Sequence, residues 1–103
     1  MVIKKGGGRE LFDRNKILRG LMKACEKRPV GLSQLEKIID HVESMVQESP
    51  ERELEADVIG KVLLSELRLL DKVAYLRFAS VYLAFQNVGE FMTVINDLFE
   101  KKQ

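Results

Sequence analysis

The chain is poor in the residues that build covalent or metal-held frameworks. Cys25 is the only cysteine and His41 the only histidine among 103 residues, so no intrachain disulfide can form and no Cys/His zinc site can be assembled from this chain. Long apolar runs are missing too. The longest, Val81 to Phe85, has five residues, against the ~20 a membrane-spanning helix needs. No charged-then-apolar leader precedes the first structured segment, and the expectation is a cytoplasmic protein without membrane association. The Gly-x-x-x-x-Gly-Lys-Ser/Thr signature of a P-loop does not occur, and no serine stands in the strand-turn-helix setting of a nucleophile elbow. His41 falls between Asp40 and Val42 on a helical pattern and reads as a surface or half-buried residue. Cys25 sits on an apolar stripe and reads as a small hydrophobe rather than a nucleophile. The chain is read as no enzyme, with no catalytic residue and no metal ligand of its own.

What is present is a globular composition, 46% hydrophobic and 32% charged, at a length that fits a single domain over residues 1–103 with one modest core. The net charge of +1 hides a strong polarity. Residues 1–28 carry nine Lys/Arg against three acids, a net of +6, while residues 29–71 carry four against ten, a net of −6. Positive charge concentrated in one short segment raises the local potential for an anion, whether nucleotide, nucleic acid or an acidic partner surface.

The expected fold is mainly α with a small β element (α+β). Val2-Ile3-Lys4-Lys5, Gly6-Gly7-Gly8 and Arg9-Glu10-Leu11-Phe12 read as a β-hairpin over residues 2–12, roofing a bundle of four to five helices because two short strands alone are marginal in water. Asp13 can cap a helix over about 14–27 whose buried stripe is Ile17, Leu18, Leu21, Met22 and Cys25, with Pro29 as its stop. Ser33-Gln34-Leu35-Glu36 has capping-box form and opens a helix over 34–47 that buries Leu35, Ile38, Ile39, Val42, Met45 and Val46. A polar loop from Gln47 to Glu53 leads to a helix over 56–70, burying Val58, Ile59, Val62, Leu63, Leu67 and Leu70. Asp71 caps a helix over 72–86 in which eleven of the thirteen positions from Val73 to Phe85 are apolar, so this helix is expected to be central and enclosed on most sides. A last helix over 88–101 opens at Asn87 and presents Phe91, Met92, Ile95, Leu98 and Phe99 before Lys101-Lys102.

The hairpin and the start of the first helix form a candidate anion site. Lys4 and Lys5 leave the first strand beside a flexible turn, and Lys16 projects from the first turn of a helix whose N-terminal dipole already favours negative charge. Glu10 and Asp13 stand among these cations, as counterweights or as acceptors for an exocyclic amine or a ribose hydroxyl. Tyr75 and Tyr82 are seven apart on one helix face; each is either a core residue with a satisfied hydroxyl or a flat wall of a site.

The stretch from Val2 to Ile17, Val-Ile-Lys-Lys-Gly-Gly-Gly-Arg-Glu-Leu-Phe-Asp-Arg-Asn-Lys-Ile, resembles the opening of an ATP-cone, the regulatory nucleotide-binding module found in front of ribonucleotide reductases. Glu26-Lys27-Arg28-Pro29-Val30 and the run from Leu70 to Tyr82 are similar, more particularly, to the NrdR-type bacterial repressors of ribonucleotide reductase genes. In that family a zinc ribbon reads DNA, while the cone binds ATP or dATP and sets the oligomeric state. This chain then looks like the cone without the ribbon, with zinc only in that missing part. The resemblance implies Val2 against the adenine, Lys4, Lys5 and Lys16 on phosphates, and Glu10 and Asp13 at the base or sugar; Tyr82 is added from its place on the fourth helix. It further implies ATP or dATP as effector, with magnesium, self-association to a homo-oligomer, and promoter DNA reached only through the ribbon. Lys5 stands where the family usually has Arg, and Gly6 where it has an acid or Asn. Lysine lacks the bidentate fork of arginine, so the triphosphate grip is expected to be looser or arranged differently.

Two other functions compete. One is the activity-regulating cone of a ribonucleotide reductase. The other is a small nucleic-acid binder with no nucleotide site, against which stands the lack of the interleaved aromatics that single-strand readers use.

Overall fold

The computed structural model describes residues 1–83 and 87–100, with the side chains of 99 and 100 left aside. Its elements run β1 (Val2–Ile3), β2 (Arg9–Glu10), α1 (Arg14–Ala24), α2 (Leu32–Glu48), β3 (Leu54–Glu55), α3 (Ala56–Leu70), α4 (Lys72–Tyr82) and α5 (Val88–Glu100). The fold is mainly helical with a small sheet, as the periodicity predicts.

The sheet is larger than the expected hairpin. β1 lies in the middle of a three-stranded order β2-β1-β3, antiparallel to β2 through Val2↔Glu10 and Ile3↔Arg9 and parallel to β3 through Val2↔Leu54 and Ile3↔Glu55. The polar loop after α2 therefore contains more than a loop. A 3-10 turn at Pro50–Arg52 swings the chain back with Glu51 and Arg52 at positive φ, and Leu54 then pairs with β1. A two-residue strand has no periodicity to read; its signal is its partner. Arg9 and Glu53, from opposite flanks of β1, form an ion pair across it.

Helix ends follow their caps. Asp13 accepts a hydrogen bond from the Lys16 N–H at 3.1 Å, Asp71 from the Ala74 N–H at 2.9 Å, and Asn87 from the Glu90 N–H at 3.0 Å, satisfying one otherwise orphaned donor in each case. The first and second helices depart from the expected boundaries. α1 ends at Ala24, short of position 27, and Lys27 takes a left-handed φ of 61°. α2 starts at Leu32 rather than 34, because the Gln34 side chain accepts from the Gly31 N–H at 2.8 Å and draws the start back.

Leu21, Leu35, Ile39, Val42, Ile59, Leu63 and Leu67 form the centre of one apolar cluster, joined by Ala74. Three expectations about burial fail. Met22 is 48% exposed, since the α1 stripe narrows to Leu21, Ala24 and Cys25. Met92 on α5 is 45% exposed. The fourth helix is not enclosed: Val81 is 80% exposed and only Ala74 and Ala79 of α4 are buried. α4 packs by its small residues against α1 and α3 and leaves branched ones outside. The expected continuation of the fourth helix to 86, the side chains of Phe85 and Phe99, and Lys101-Lys102 lie outside the described residues. No described helix is long and apolar enough to cross a membrane.

Candidate functional site

Five segments converge on one cavity of about 440 Å³, within the size range of ligand pockets. β1 contributes Val2, held in the middle of the sheet and buried. The hairpin turn carries Lys4 and Lys5 beside it; the Lys4 N–H donates to the Gly8 carbonyl at 2.7 Å and the Gly7 N–H to the Lys4 carbonyl at 2.8 Å. Gly7 takes a φ of 92°, which a side chain would oppose. The returning strand brings Glu10, Leu11 and Phe12 to the rim, and the cap of α1 brings Asp13, Lys16, Ile17 and Gly20. α3 supplies Ala56, Ile59, Gly60 and Leu63, and α4 supplies Phe78 and Tyr82. The interior is apolar, and Glu10, Asp13, Lys16 and the Tyr82 hydroxyl give it polar edges.

One wall is built by a missing side chain. A Cβ at Gly60 would stand within 2.3 Å of Cζ, Cε1 and the hydroxyl oxygen of Tyr82, so the hydroxyl end of the ring packs against α3 only because position 60 is bare. The Tyr82 hydroxyl is placed by Asp57, at 3.2 Å from its carbonyl and 3.1 Å from Oδ1. Burial, and then hydrogen bonding to this carboxylate, push the Tyr82 hydroxyl above its ordinary pKa. Asp57 is held below the usual carboxylate range, first by its hydrogen bond to Lys61, 3.1 Å away, then by Tyr82, with the charge of Lys5 adding to it.

Of the seven residues singled out, Val2, Glu10, Asp13, Lys16 and Tyr82 line this cavity. Lys4 and Lys5 do not. Lys4 Nζ lies 3.6 Å from Glu10 Oε2, one residue from the lining, and Lys5 acts on Asp57, the partner of Tyr82. The two tyrosines do not form a common wall: Tyr75 lies under the Arg68 guanidinium, 5.8 Å from its ring centre. His41 is exposed, with Nδ1 2.6 Å from Glu66 Oε2. The α3 wall of Ala56, Ile59, Gly60 and Leu63 is expected from the sequence only as part of a core helix, and Asp57 behind it is not expected at all. The wall's one signal is Gly60 itself, since glycine inside a helical pattern costs about 1 kcal/mol and points to a close approach.

The segments nearer the middle of the chain make a different cluster. Arg28 Nε lies 3.0 Å from each oxygen of Asp71, and Asp71, only 9% exposed, also caps α4. Burial by itself would raise the Asp71 carboxyl, but the Ala74 N–H and Arg28 outweigh it and hold the group below its ordinary range. Arg77 Nη1 donates to the carbonyls of Ala24 at 3.2 Å and Glu26 at 2.7 Å, closing the open end of α1. Cys25, buried beside this cluster, has its thiol pKa raised by burial and then by Asp71, which keeps it protonated and unreactive.

Comparison with known proteins takes in both of these regions. The family model described as "ATP cone domain" matches residues 1–88, which take in every cavity-lining residue named above. Proteins named "Transcriptional repressor NrdR" are similar over almost the whole chain: that of Koribacter versatilis is 53% identical over 102 residues, 99% of this chain and 63% of its own length. That of Anaeromyxobacter sp. (strain K) is 54% identical over 100 residues, 97% of this chain and 64% of its own. That of Geotalea daltonii is 48% identical over 101 residues, 98% and 67%. The chain thus spans about two-thirds or slightly less of the length of these relatives, which are named as repressors and not as enzymes. The chain belongs to the ATP-cone family, in the group that includes the NrdR transcriptional repressors.

Proposed function

We propose that the cavity takes an adenine nucleoside triphosphate, ATP or dATP, and that its occupancy sets the self-association of a cytoplasmic repressor of ribonucleotide reductase genes. Sequence-specific promoter binding would then come from a zinc ribbon contributed outside this chain. The observation that supports the reading is the cavity itself, with apolar walls, Lys16 in its lining and Lys4 paired with the lining Glu10. Val2 and the Tyr82 ring would flank the base. Glu10 and Asp13 offer acceptors for an amine or a sugar hydroxyl, and Asp13 has one oxygen already engaged at the α1 cap. Lys4, Lys5 and Lys16 would hold phosphates, helped by the positive end of α1. Among the described residues no group of three or more His, Cys, Asp or Glu could hold a metal, so magnesium would arrive on the phosphates, which suits an ion that keeps most of its waters.

Occupancy can shift an assembly only by the difference in nucleotide affinity between its states, and a coupling of about 1–3 kcal/mol is usual. Calorimetric titration with ATP and dATP, and light scattering at saturating nucleotide, test the two halves. Saturable binding with a changed mass is expected. No binding heat rejects the site, and an unchanged mass at saturation rejects the sensor.

A further inference from the structure

The basic segment is sorted by the fold into two sets. Lys4, Arg9, Arg14 and Arg28 each face an acid within 4.0 Å: Glu10, Glu53, the Asp40–Glu43 pair and Asp71 respectively. Among the described residues Lys5, Lys16, Arg19, Lys23 and Lys27 face none within that distance, and of these five Lys16, Arg19 and Lys23 lie on α1, all three exposed. They follow one another at i, i+3 and i+7 along α1, which places them on one face. The opposite face carries Leu21 and Ala24 into the core. Like charges at this spacing cost the helix a few tenths of a kcal/mol each, and the same segment shows that the fold supplies acids to cations it neutralises.

We infer that Lys16, Arg19 and Lys23 form a contact strip for the phosphate backbone of duplex DNA, independent of base sequence. The inference rests on the repressor reading and extends it beyond the ribbon. A second copy of the chain fits the strip less well. Of the acidic strip on α2, Glu36, Asp40 and Glu43, two members are already engaged within the chain, since Arg14 lies 2.6 Å from Asp40 and 3.1 Å from Glu43, which leaves Glu36 alone. On α3, Asp57 is held by Lys61 and Glu66 by His41. A duplex presents closely spaced phosphates along its whole length, and the strip, about 10 Å from Lys16 to Lys23 at a rise of 1.5 Å per residue, can engage several of them. Lys16 also lines the cavity. A bound triphosphate would therefore draw away one end of the strip and lower the positive potential beside the rest, so nucleotide and duplex oppose each other.

The test is fluorescence anisotropy with a labelled duplex of scrambled sequence, the 103-residue chain and its Arg19→Gln/Lys23→Gln variant, with and without ATP, and unlabelled polyglutamate and duplex as competitors. Three phosphate contacts predict that affinity falls about 40-fold between 50 and 200 mM salt, and the variant's single remaining contact predicts about 4-fold. ATP is expected to weaken the wild-type complex. Equal binding and salt dependence in variant and wild type, no duplex binding, no effect of ATP at saturation, or preference for polyglutamate overturns the inference. Calorimetry with ATP on the same two proteins keeps the readings apart: nucleotide binding unchanged by the variant alongside absent duplex binding sinks the strip alone, and absent nucleotide binding sinks the sensor.

Discussion

The two ends of α1 treat charge in opposite ways. At its C-terminal end a closed polar network ties the chain together: Arg28 meets both Asp71 oxygens, Arg77 donates to the Ala24 and Glu26 carbonyls, and Asp71 accepts from the Ala74 amide. At its N-terminal end a cavity opens, Lys16 has no acidic partner among the described residues, and Lys4 is held to Glu10 only at 3.6 Å. Satisfied polar clusters rigidify a fold, while unsatisfied charge beside an apolar cavity is free to bind. The segments at both ends carry family resemblance, yet the physical reasons differ. One end joins α1 to α4, and the other is open to a ligand.

The sharpest way to break this contrast is to exchange each end in turn and measure both affinity and stability. Lys4→Ala/Lys16→Ala removes two charge-assisted contacts of about 1.5 kcal/mol each, so ATP affinity should fall about 100-fold. Urea unfolding should stay within about 0.5 kcal/mol of wild type, as for other exposed substitutions. Asp71→Ala should do the reverse: it removes a cap and strands a guanidinium, lowering stability by about 2 kcal/mol while ATP affinity in calorimetry holds within about twofold. A large affinity loss in this second variant would mean the two ends are not separate.

Gly60→Ala sharpens the picture of the N-terminal end. The added methyl displaces the Tyr82 ring from the cavity wall, and about a tenfold loss of nucleotide affinity is expected, with about 1 kcal/mol of overpacking cost. Tyr82→Ala in the Gly60→Ala background should relieve that overpacking, seen as a higher urea midpoint than the single variant. The smallest effect is in pH. The folded Asp71 pKa lies below its unfolded value of about 3.9, so its contribution is fully present above that value and is lost as pH falls through the folded one. Unfolding followed from pH 5 downwards should show a steeper loss for wild type than for Asp71→Asn.

Local chemistry made much of this legible before any coordinates. Asp13, Asp71 and Asn87 announce helix starts because a cap is a short-range hydrogen bond, and the 3.6-residue spacing of Leu35, Ile39, Val42 and Val46 announces a buried face because burial of a helix is periodic. β3 was not legible, since Leu54-Glu55 becomes a strand only by lying against β1. The exposure of Val81 and Met22 was not legible either. Apolar pattern reports what can be buried, and only the neighbouring elements decide what is. Five residues chosen from the hairpin, α1 and α4 line one cavity, but its α3 wall is long-range in origin. Asp57 looks like any exposed acid until Tyr82 is laid across Gly60.

The most direct measurement is the crystal structure of the chain grown with dATP and magnesium. The account predicts the adenine against Val2 and the Tyr82 ring, with the triphosphate running toward Lys4, Lys5 and Lys16. A nucleotide lodged away from the cavity between β1, α1, α3 and α4, or a cavity left empty at saturating dATP, would contradict it.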